Sequence, residues 1–328
     1  MENILHVTNG DSTVELFLQA CIEGKYLAWR DVLHEGATPS GLDLHALSNV
    51  RADYIAQCGW SDVESARKSF KERDLVISEW RKYDAVYLWF EHDLYDQLQL
   101  IQILDIFAKE PQKPNNLFLI QHNDYLGMQT PATISTLKNN KKPVTNIQLQ
   151  LATKSWEAFR SNNPTVWWKL LGEDTTALPW LKMTITRHLE QFPFVKNGLN
   201  RTENIILSIL IKGSIKPGQL FHEYQLLDEP RYMGDASFWI YLKELCSGDR
   251  PLIALLDGSN FKPPSNYPPD EKFKKQKLYL TEFGQQVLYN KADWVNYRGV
   301  DKWLGGCKLT TEKHWRWDDV DKRLTLSS

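Results

Sequence analysis

The sequence has few cysteines and no hydrophobic run long enough to cross a bilayer. Its four cysteines, Cys21, Cys58, Cys246 and Cys307, lie far apart and form no C-x-x-C pair. We therefore expect reduced structural thiols, as in a cytoplasmic protein, rather than a disulfide framework. Because no apolar run approaches the roughly 20 residues of a transmembrane helix, we expect no membrane partner.

The chain also lacks a strong net charge and a recognisable signal peptide. Its 39 Lys and Arg against 41 Asp and Glu leave a formal charge of −2. That balance gives no global attraction to nucleic acid or to a membrane surface. The opening residues contain no basic segment followed by a long apolar core. These absences together predict a cytoplasmic protein.

The composition is sufficient for substantial hydrophobic cores. Hydrophobic residues make up 42% of the chain, including 13 Trp, 13 Tyr and 13 Phe. At 328 residues the chain exceeds the usual single domain. Changes in pattern predict an α/β domain over residues 1–127, a helical connector over 128–198, and a winged-helix-like domain with a C-terminal β tail over 199–328.

Four apolar stretches in the first domain each end in polar or ionisable side chains. The stretches are Ile4–Thr8, Lys25–Trp29, Ala85–Phe90 and Leu117–Gln121. Helical patterns separate them, and this alternation predicts a mainly parallel, Rossmann-like sheet with helices on both faces. Because parallel strands end at the same edge, the polar residues that follow them form a candidate ligand site.

The most informative stretch joins the predicted strand Ala85–Phe90 to a helix. The strand is apolar without interruption, which is typical of burial on both faces. Glu91, His92 and Asp93 follow it, and Asp93 is expected to cap the helix. The sequence therefore places ionisable groups at the carboxyl edge of a sheet.

Several residues near this edge have the ligand types of a divalent metal site, although their spacing matches no zinc motif. They are Glu91, His92, Asp93, Asp96 and His122. Neighbouring residues of a strand point to opposite faces, so Glu91 and Asp93 are expected to converge while His92 turns away. His92 beside a carboxylate could instead be a general base, or a half-buried histidine bonded to the backbone.

The turn after the first predicted strand suits an anion. It consists of Asn9, Gly10, Asp11 and Ser12, and it presents backbone N–H groups at a helix N-terminus. Arg30, after the second strand, would add positive charge. Asp11 or Ser12 could equally be a helix cap. Gly10-Asp11-Ser12 is also similar to the nucleophile turn of SGNH hydrolases, but we assign no Asp-x-x-His partner to it.

The last third of the chain predicts a winged-helix-like α+β domain. Helices are expected from Arg201, Pro217 and Asp235, followed by strands at Leu252–Leu256 and Gln276–Leu280. Residues 201–328 hold 19 Lys and Arg against 17 Asp and Glu, a net charge of +2. The near-neutral balance favours a packing module or a homodimer contact over nucleic-acid binding.

Two further features of this region lead to expectations. A basic run, Lys272, Lys274, Lys275 and Lys277, is the feature in favour of nucleic acid, whereas the third helix offers only Lys243. The tail is too aromatic to be disordered. A final strand over His314–Trp317 is expected to pair through the Gly305-Gly306 region.

Three segments together resemble a family of bacterial proteins known only as a domain of unknown function. The segments are Leu5–Ser12, Trp89–Leu98, and Trp303–Gly306 with Trp315–Asp318. The resemblance implies a bacterial cytosolic protein. It implies no activity and no catalytic residue.

From the residues themselves, we predict a small-molecule enzyme, a hydrolase or transferase, that acts on a phosphate-bearing or nucleotide-like substrate. The candidate catalytic residues are Glu91, His92 and Asp93, and the candidate substrate-binding residues are Asn9, Gly10, Asp11, Ser12, Arg30, Asp96 and His122. A divalent metal is a candidate cofactor. The alternative is a winged-helix nucleic-acid-binding regulator.

Overall fold

A computed structural model describes residues 2–265 and 267–327. Its contacts divide the chain into two compact units. The first comprises the residues up to 187 together with 303–307, and the second comprises 188–302 and the residues from 308 onward. Among the described residues, no helix combines the length and the apolar character needed to cross a membrane.

The first unit is a mixed α/β structure. Its strands are β1 (Ile4–Thr8), β2 (Lys25–Ala28), β3 (Gly36–Ala37), β4 (Ala85–Phe90), β5 (Leu117–Gln121) and β6 (Lys142–Pro143). Its helices are α1 (Asp11–Gln19), α2 (Leu44–Gln57), α3 (Val63–Ser78), α4 (Leu94–Ala108), α5 (Pro131–Leu137), α6 (Asn146–Phe159), α7 (Thr165–Lys169) and α8 (Leu181–Leu189), which continues past residue 187.

Five of these strands form one sheet in the order β2-β1-β4-β5-β6. The pairs β1–β2, β1–β4 and β4–β5 are parallel, which confirms the prediction of a mainly parallel sheet built from those four strands. The short antiparallel strand β6 was not predicted. It lies, with α5, in the region 128–198 that the sequence predicted as a helical connector.

The sheet is covered on both faces, and this is why β4 is apolar throughout. On one face, Tyr87 and Trp89 of β4 pack with Phe17 of α1 and Ile134 of α5. Side chains of a strand alternate between faces, so Val86, Leu88 and Phe90 face the other side, where α4 lies. Helix α4 is buried nearly all round because α6 covers its outer side.

The strand order places a topological switch point between β1 and β4. The chain adds β2 on one side of β1 and then crosses to begin β4 on the other side. In open α/β sheets, ligands bind at the carboxyl ends of the strands that flank such a point. Asn9 directly follows β1 and Glu91 directly follows β4.

The second unit is built from short helices and small antiparallel sheets. Its helices are α9 (Arg201–Leu210), α10 (Pro217–Leu227), α11 (Asp235–Leu245), α12 (Glu271–Lys275), α13 (Glu282–Leu288) and α14 (Trp294–Arg298). Strands β7 (Ile253–Leu255) and β8 (Leu278–Leu280) pair antiparallel. The remaining strands are β9 (Asp301–Gly305), β10 (Cys307–Thr310), β11 (His314–Asp318) and β12 (Arg323–Ser327), with parts of β9 and β10 in the first unit.

The predicted partner of the last aromatic strand was wrong. Strand β11 pairs antiparallel with β12, whereas Gly305 of β9 pairs with Ala37 of β3. The backbone explains why two glycines stand here. The N–H of Gly306 donates to the carbonyl of Phe159 at 3.0 Å, and a Cβ at Gly306 would lie 1.8 Å from the carbonyl oxygen of Arg160. The double glycine therefore permits close backbone packing on α6.

Candidate functional site

Three carboxyl groups meet where β4 ends and α4 begins. Glu91 follows the strand, Asp93 is the N-cap of α4, and Asp96 lies in its first turn. One oxygen atom from each residue lies within 4.8 Å of the corresponding atoms of the other two. Glu91 and Asp93 are each 4% exposed and Asp96 is fully buried. Such a concentration of buried negative charge requires a compensating proton, donor or cation.

The local sequence explains how the cluster is held. Asp93 Oδ1 accepts a hydrogen bond from the Asp96 N–H at 3.0 Å, which caps α4. Asp96 Oδ1 in turn accepts from the Glu91 N–H at 2.7 Å, and Gln97 Nε2 donates to the Glu91 carbonyl at 2.5 Å. The first turn of α4 thus hydrogen-bonds to the backbone N–H and carbonyl of Glu91, directly after the strand. These hydrogen bonds fix the positions of all three carboxyl groups.

Asn9 connects this cluster to the neighbouring strand. Its Nδ2 donates to Asp96 Oδ2 at 2.8 Å and lies 3.4 Å from Glu91 Oε1. Its Oδ1 accepts from the Thr13 hydroxyl at 3.1 Å, and this hydrogen bond orients the amide. From the other side, the Leu126 N–H donates to Glu91 Oε1 at 2.6 Å. The turn after β1 and the loop after β5 therefore both reach the carboxyl cluster.

The hydrogen-bond donors to the cluster are all neutral groups. Glu91 Oε1 accepts from Asn9 and Leu126, and the Asp93 carboxyl group accepts from the N–H groups of Asp96 and Tyr95. No residue that the structure describes donates to Glu91 Oε2, and none forms an ion pair with the three carboxylates. The negative charge of the cluster is therefore incompletely compensated by the protein.

The pKa values of the cluster reflect this imbalance. Burial first, and then repulsion by Asp96 and Asp93, raises the pKa of Glu91 to about 10. Burial raises the pKa of Asp96 to about 7, and burial with the neighbouring Asp96 raises the pKa of Asp93 well above its ordinary value. Without a cation, the cluster therefore retains protons near neutral pH.

The turn after β1 lies at the opening of α1. Gly10 is the N-cap of α1, and as a glycine it makes no side-chain capping hydrogen bond to the first turn of the helix. Ser12 is exposed, and a Cβ built on Gly127 would lie 3.2 Å from its Oγ. The loop after β5 therefore approaches both Ser12 and, through the Leu126 N–H, Glu91. Free N–H groups at a helix N-terminus favour an anion.

Arg30 is attached to the same turn by its backbone and its side chain. Its N–H donates to the Asn9 carbonyl at 3.1 Å, and its Nε donates to Asp11 Oδ2 at 2.8 Å. The Arg30 and Asp11 side chains are 54% and 61% exposed. The hydrogen bond from Arg30 lowers the pKa of Asp11. Arg30 also has a φ of +54°, a left-handed conformation that non-glycine residues rarely adopt.

The two predicted histidines lie outside the carboxyl cluster. The His92 ring contacts the rings of Tyr125 and Trp180, with centroids 5.5 Å and 5.9 Å away, and no hydrogen bond joins it to Glu91 or Asp93. The His122 N–H donates to the carbonyl of Phe90 at 3.3 Å. Over the described ranges, neither histidine supplies a ligand atom to the acidic group. The cluster thus presents oxygen ligands alone.

The chain does contain an Asp-x-x-His sequence downstream of Ser12, contrary to the expectation above. It spans Asp31 to His34. Asp31 is fully buried and accepts from Arg51 Nε at 2.8 Å, while the His34 ring lies 5.9 Å from that of Tyr95. No hydrogen bond connects Ser12 to His34 or to Asp31. The described geometry therefore contains no Ser-His-Asp arrangement at Ser12.

Tyr95 and the Leu126 N–H were not among the predicted site groups. The Tyr95 hydroxyl lies 3.4 Å from the carbonyl of Asn9, and burial raises its pKa. One feature of the sequence could have indicated that the start of α4 belongs to the site. Polar residues recur there on an otherwise apolar, buried helix, at Asp96, Gln97 and Gln99. No such feature indicates the Leu126 backbone N–H, since any residue type supplies that group.

A scan against protein-family models finds no match for the chain, and a search of curated proteins also finds none. The function is therefore inferred from the geometry and the chemistry of this site.

Proposed function

We propose that the chain is a small-molecule enzyme, a hydrolase or transferase, that acts on a phosphate-bearing or nucleotide-like substrate. One observation carries this proposal. The carboxyl cluster of Glu91, Asp93 and Asp96 is hydrogen-bonded to Asn9 at the switch point between β1 and β4. Buried ionisable groups with raised pKa values in such a crevice are typical of functional sites.

The phosphate of the substrate would bind at the start of α1. Gly10 and Ser12 would offer backbone N–H groups there, and Arg30 would add a guanidinium group. Arg30 is now paired with Asp11, but exposed ion pairs of this kind contribute at most about 1 kcal/mol. The Arg30 side chain can therefore leave Asp11 and pair with a phosphate at little cost in free energy. Its guanidinium group suits bidentate recognition of phosphate.

The reacting group would then lie beside the carboxyl cluster. Asn9 joins the two halves of the site, since it follows β1 and donates to Asp96. Glu91 and Asp93 are the proposed catalytic carboxyl groups, and no described residue donates to Glu91 Oε2. His92 and His122 would act on protons only through water, because neither belongs to the cluster.

A thermal-shift panel tests this function directly. Nucleoside mono-, di- and triphosphates, pyrophosphate and sugar phosphates are each added with MgCl2, and the unfolding midpoint is measured. A ligand at 100 times its dissociation constant stabilises the fold by about 2.7 kcal/mol. Compounds that raise the midpoint are then followed by phosphorus NMR for turnover. If no phosphate compound raises the midpoint, the proposed function is wrong.

Replacing Arg30 with Gln is expected to halve that ligand-induced stabilisation, from about 2.7 to about 1.4 kcal/mol at the same ligand concentration, without unfolding the protein. The Arg30–Asp11 pair is exposed, so the free energy of unfolding should change by less than about 1 kcal/mol. Losing a charge-assisted contact to phosphate should weaken binding by roughly tenfold. Arg67→Gln is the matched control, because Arg67 forms a similarly exposed pair with Asp53. Equal ligand shifts in both variants would contradict the role of Arg30.

For residues 201–280 we propose a winged-helix-like identity. The order α9, α10, α11, β7 and β8 supports it, as does an isolated antiparallel bridge between Ile215 and Leu278. That bridge adds a short extended segment between the first two helices, beside the β7–β8 ribbon. A homodimer contact or an internal packing role for this region stays a proposal.

Nucleic-acid binding through this region is the second candidate function. Four exposed lysines favour it, namely Lys272, Lys274, Lys275 and Lys277. Helix α11 argues against it, since Phe238 and Trp239 are buried and the exposed Lys243 and Glu244 carry opposite charges. A helix that reads a DNA groove needs phosphate and base partners on its exposed face.

We expect no detectable binding of duplex DNA, even at about 50 mM salt, where phosphate contacts are strong. Fluorescence anisotropy with a labelled duplex measures this. Binding that weakens steeply with salt and disappears when the four lysines are replaced with Ala would instead establish the nucleic-acid function. Replacing the exposed Lys291 and Lys322 with Ala is the control for loss of charge alone.

A further inference from the structure

We propose that Glu91, Asp93 and Asp96 bind a hard divalent cation, and that a phosphate oxygen of the substrate is a further ligand of that cation. The second half of this proposal rests on the proposed function, whereas the cation site itself does not. Three residues from one strand end and one helix start provide the protein ligands. No function assigned above requires such a cation.

The ligand set determines the class of the cation. All the ligand atoms of the group are carboxylate oxygens, because no histidine or cysteine of the described chain joins it. Hard cations such as Mg²⁺, Mn²⁺ and Ca²⁺ prefer oxygen, whereas Zn²⁺ sites usually contain nitrogen or sulfur. Opposite ligands of Mg²⁺ lie roughly 4 Å apart and those of Ca²⁺ roughly 5 Å apart. The separation of at most 4.8 Å between the three oxygens is compatible with both.

A second observation, besides the acidic character of the cluster, points to a ligand. The Glu91 side chain is more than nine-tenths buried and its Oε1 accepts from Asn9 and Leu126, yet no described residue donates to its Oε2. A carboxylate oxygen of so buried a side chain requires a donor, a water molecule or a cation as its partner. The hydrogen bonds to Oε1 hold the carboxyl group in place, so Oε2 remains available to a cation.

Electrostatics gives an independent reason for the cation. Asn9 joins the start of α1 to the carboxyl cluster. A phosphate bound at the start of α1 therefore lies near the carboxyl cluster. Like charges that approach in a buried crevice repel strongly. The ion pairs of the described residues bring no Lys or Arg to the cluster, so the protein itself does not cancel this repulsion. A divalent cation would reverse the sign of the field and link the two halves of the site.

Titration of the full chain with MnCl2 and with CaCl2 tests the cation site by calorimetry, and Mn²⁺ binding can also be followed by electron paramagnetic resonance. We expect a single saturable site in the wild type. Glu91→Gln and Asp93→Asn should each weaken binding by at least about tenfold, because each removes a charged ligand. Both substitutions keep the shape of the side chain and its hydrogen-bond acceptor, and thermal unfolding shows whether each variant is folded.

Asp62→Asn is the matched control. Asp62 caps α3 by accepting from the Ser65 N–H at 2.9 Å, as Asp93 caps α4, but it lies outside the acidic group. It should bind Mn²⁺ like the wild type. Absence of Mn²⁺ and Ca²⁺ binding in the wild type, or equal binding in folded Glu91→Gln and Asp93→Asn, would overturn the cation site.

The phosphate panel, repeated with EDTA in place of MgCl2, separates the two proposals. Phosphate binding that requires the cation supports both the cation site and its link to phosphate. Equal phosphate binding in EDTA overturns the link and leaves the proposed function in place. Cation binding with no bound phosphate compound supports the site and overturns the proposed function.

Discussion

Replacing Arg51 with Met is expected to lower the free energy of unfolding by about 3–5 kcal/mol. Arg51 is fully buried, and its Nε donates to Asp31 Oδ1 at 2.8 Å. Its other nitrogens donate to the carbonyls of Val32 and Glu35, each at 2.7 Å. Met has a similar length but no donor. The substitution therefore leaves the buried Asp31 carboxylate, the buried Glu35 carbonyl and the partly buried Val32 carbonyl without this partner.

Urea denaturation of the full chain measures this effect, with Arg67→Met as the control. Arg67 also pairs with an aspartate, but its side chain is 53% exposed. We expect the control to change the free energy of unfolding by less than about 1 kcal/mol. A loss below about 1 kcal/mol for Arg51→Met would show that the network around Asp31 does not hold the loop after β2.

Acidification from pH 6.5 to pH 4 is expected to destabilise the wild type by about 3 kcal/mol more than a His6→Gln variant. His6 is fully buried, accepts from Trp89 Nε1 at 3.0 Å, and contacts the Glu23 carbonyl at 3.1 Å through its Nε2. Burial lowers its pKa to about 4. The unfolded chain takes up a proton below its pKa of about 6.5, whereas the folded chain does so only near 4. Stability is therefore lost as the pH falls through this window.

Chemical denaturation at a series of pH values checks this prediction. The raised pKa values of Glu91 and Asp96 act in the opposite direction, because the folded chain holds those protons more tightly than the unfolded chain. The comparison with His6→Gln removes this shared contribution. His45→Gln, at an exposed site of the same unit, should behave like the wild type. The same pH dependence in His6→Gln and the wild type would contradict the assignment of a neutral buried imidazole.

Much of the first sheet could be predicted because its local patterns agree with its tertiary environment. Ala85–Phe90 is apolar throughout, and the structure buries the whole strand between two helical layers. Asp93 precedes a helical apolar pattern, and it caps α4 as expected. Side chains alternate between the two faces along a strand. This alternation predicted that Glu91 and Asp93 lie together and that His92 points elsewhere, and the carboxyl cluster contains Glu91 and Asp93 but not His92.

Other features depend on contacts that a sequence pattern does not encode. Strand β6 has only two residues, Lys142 and Pro143, and both are exposed. No hydrophobic alternation marks it, so pairing with β5 decides its conformation. The predicted pairing of β11 was wrong for a similar reason. Gly305 and Gly306 indicate close backbone packing, but the sequence does not identify the surface against which they pack.

The candidate site was only partly predictable for the same physical reason. Its carboxyl groups belong to one continuous stretch, and helix capping fixes their geometry locally. Its remaining contacts join distant parts of the chain, such as Asn9 with Asp96 and the Leu126 N–H with Glu91. Such pairs follow from the strand order, which places β1 on one side of β4 and β5 on the other, and a single sequence does not reveal that order.

A crystal structure of the chain grown with MnCl2 and pyrophosphate tests the central claim most directly. Anomalous scattering locates the manganese, and difference density locates the phosphate groups. We predict manganese bound by Glu91, Asp93 and Asp96, with the pyrophosphate between the metal, Arg30 and the start of α1. Pyrophosphate bound away from the crevice between β1 and β4, or manganese and pyrophosphate both absent from that crevice, would contradict the account.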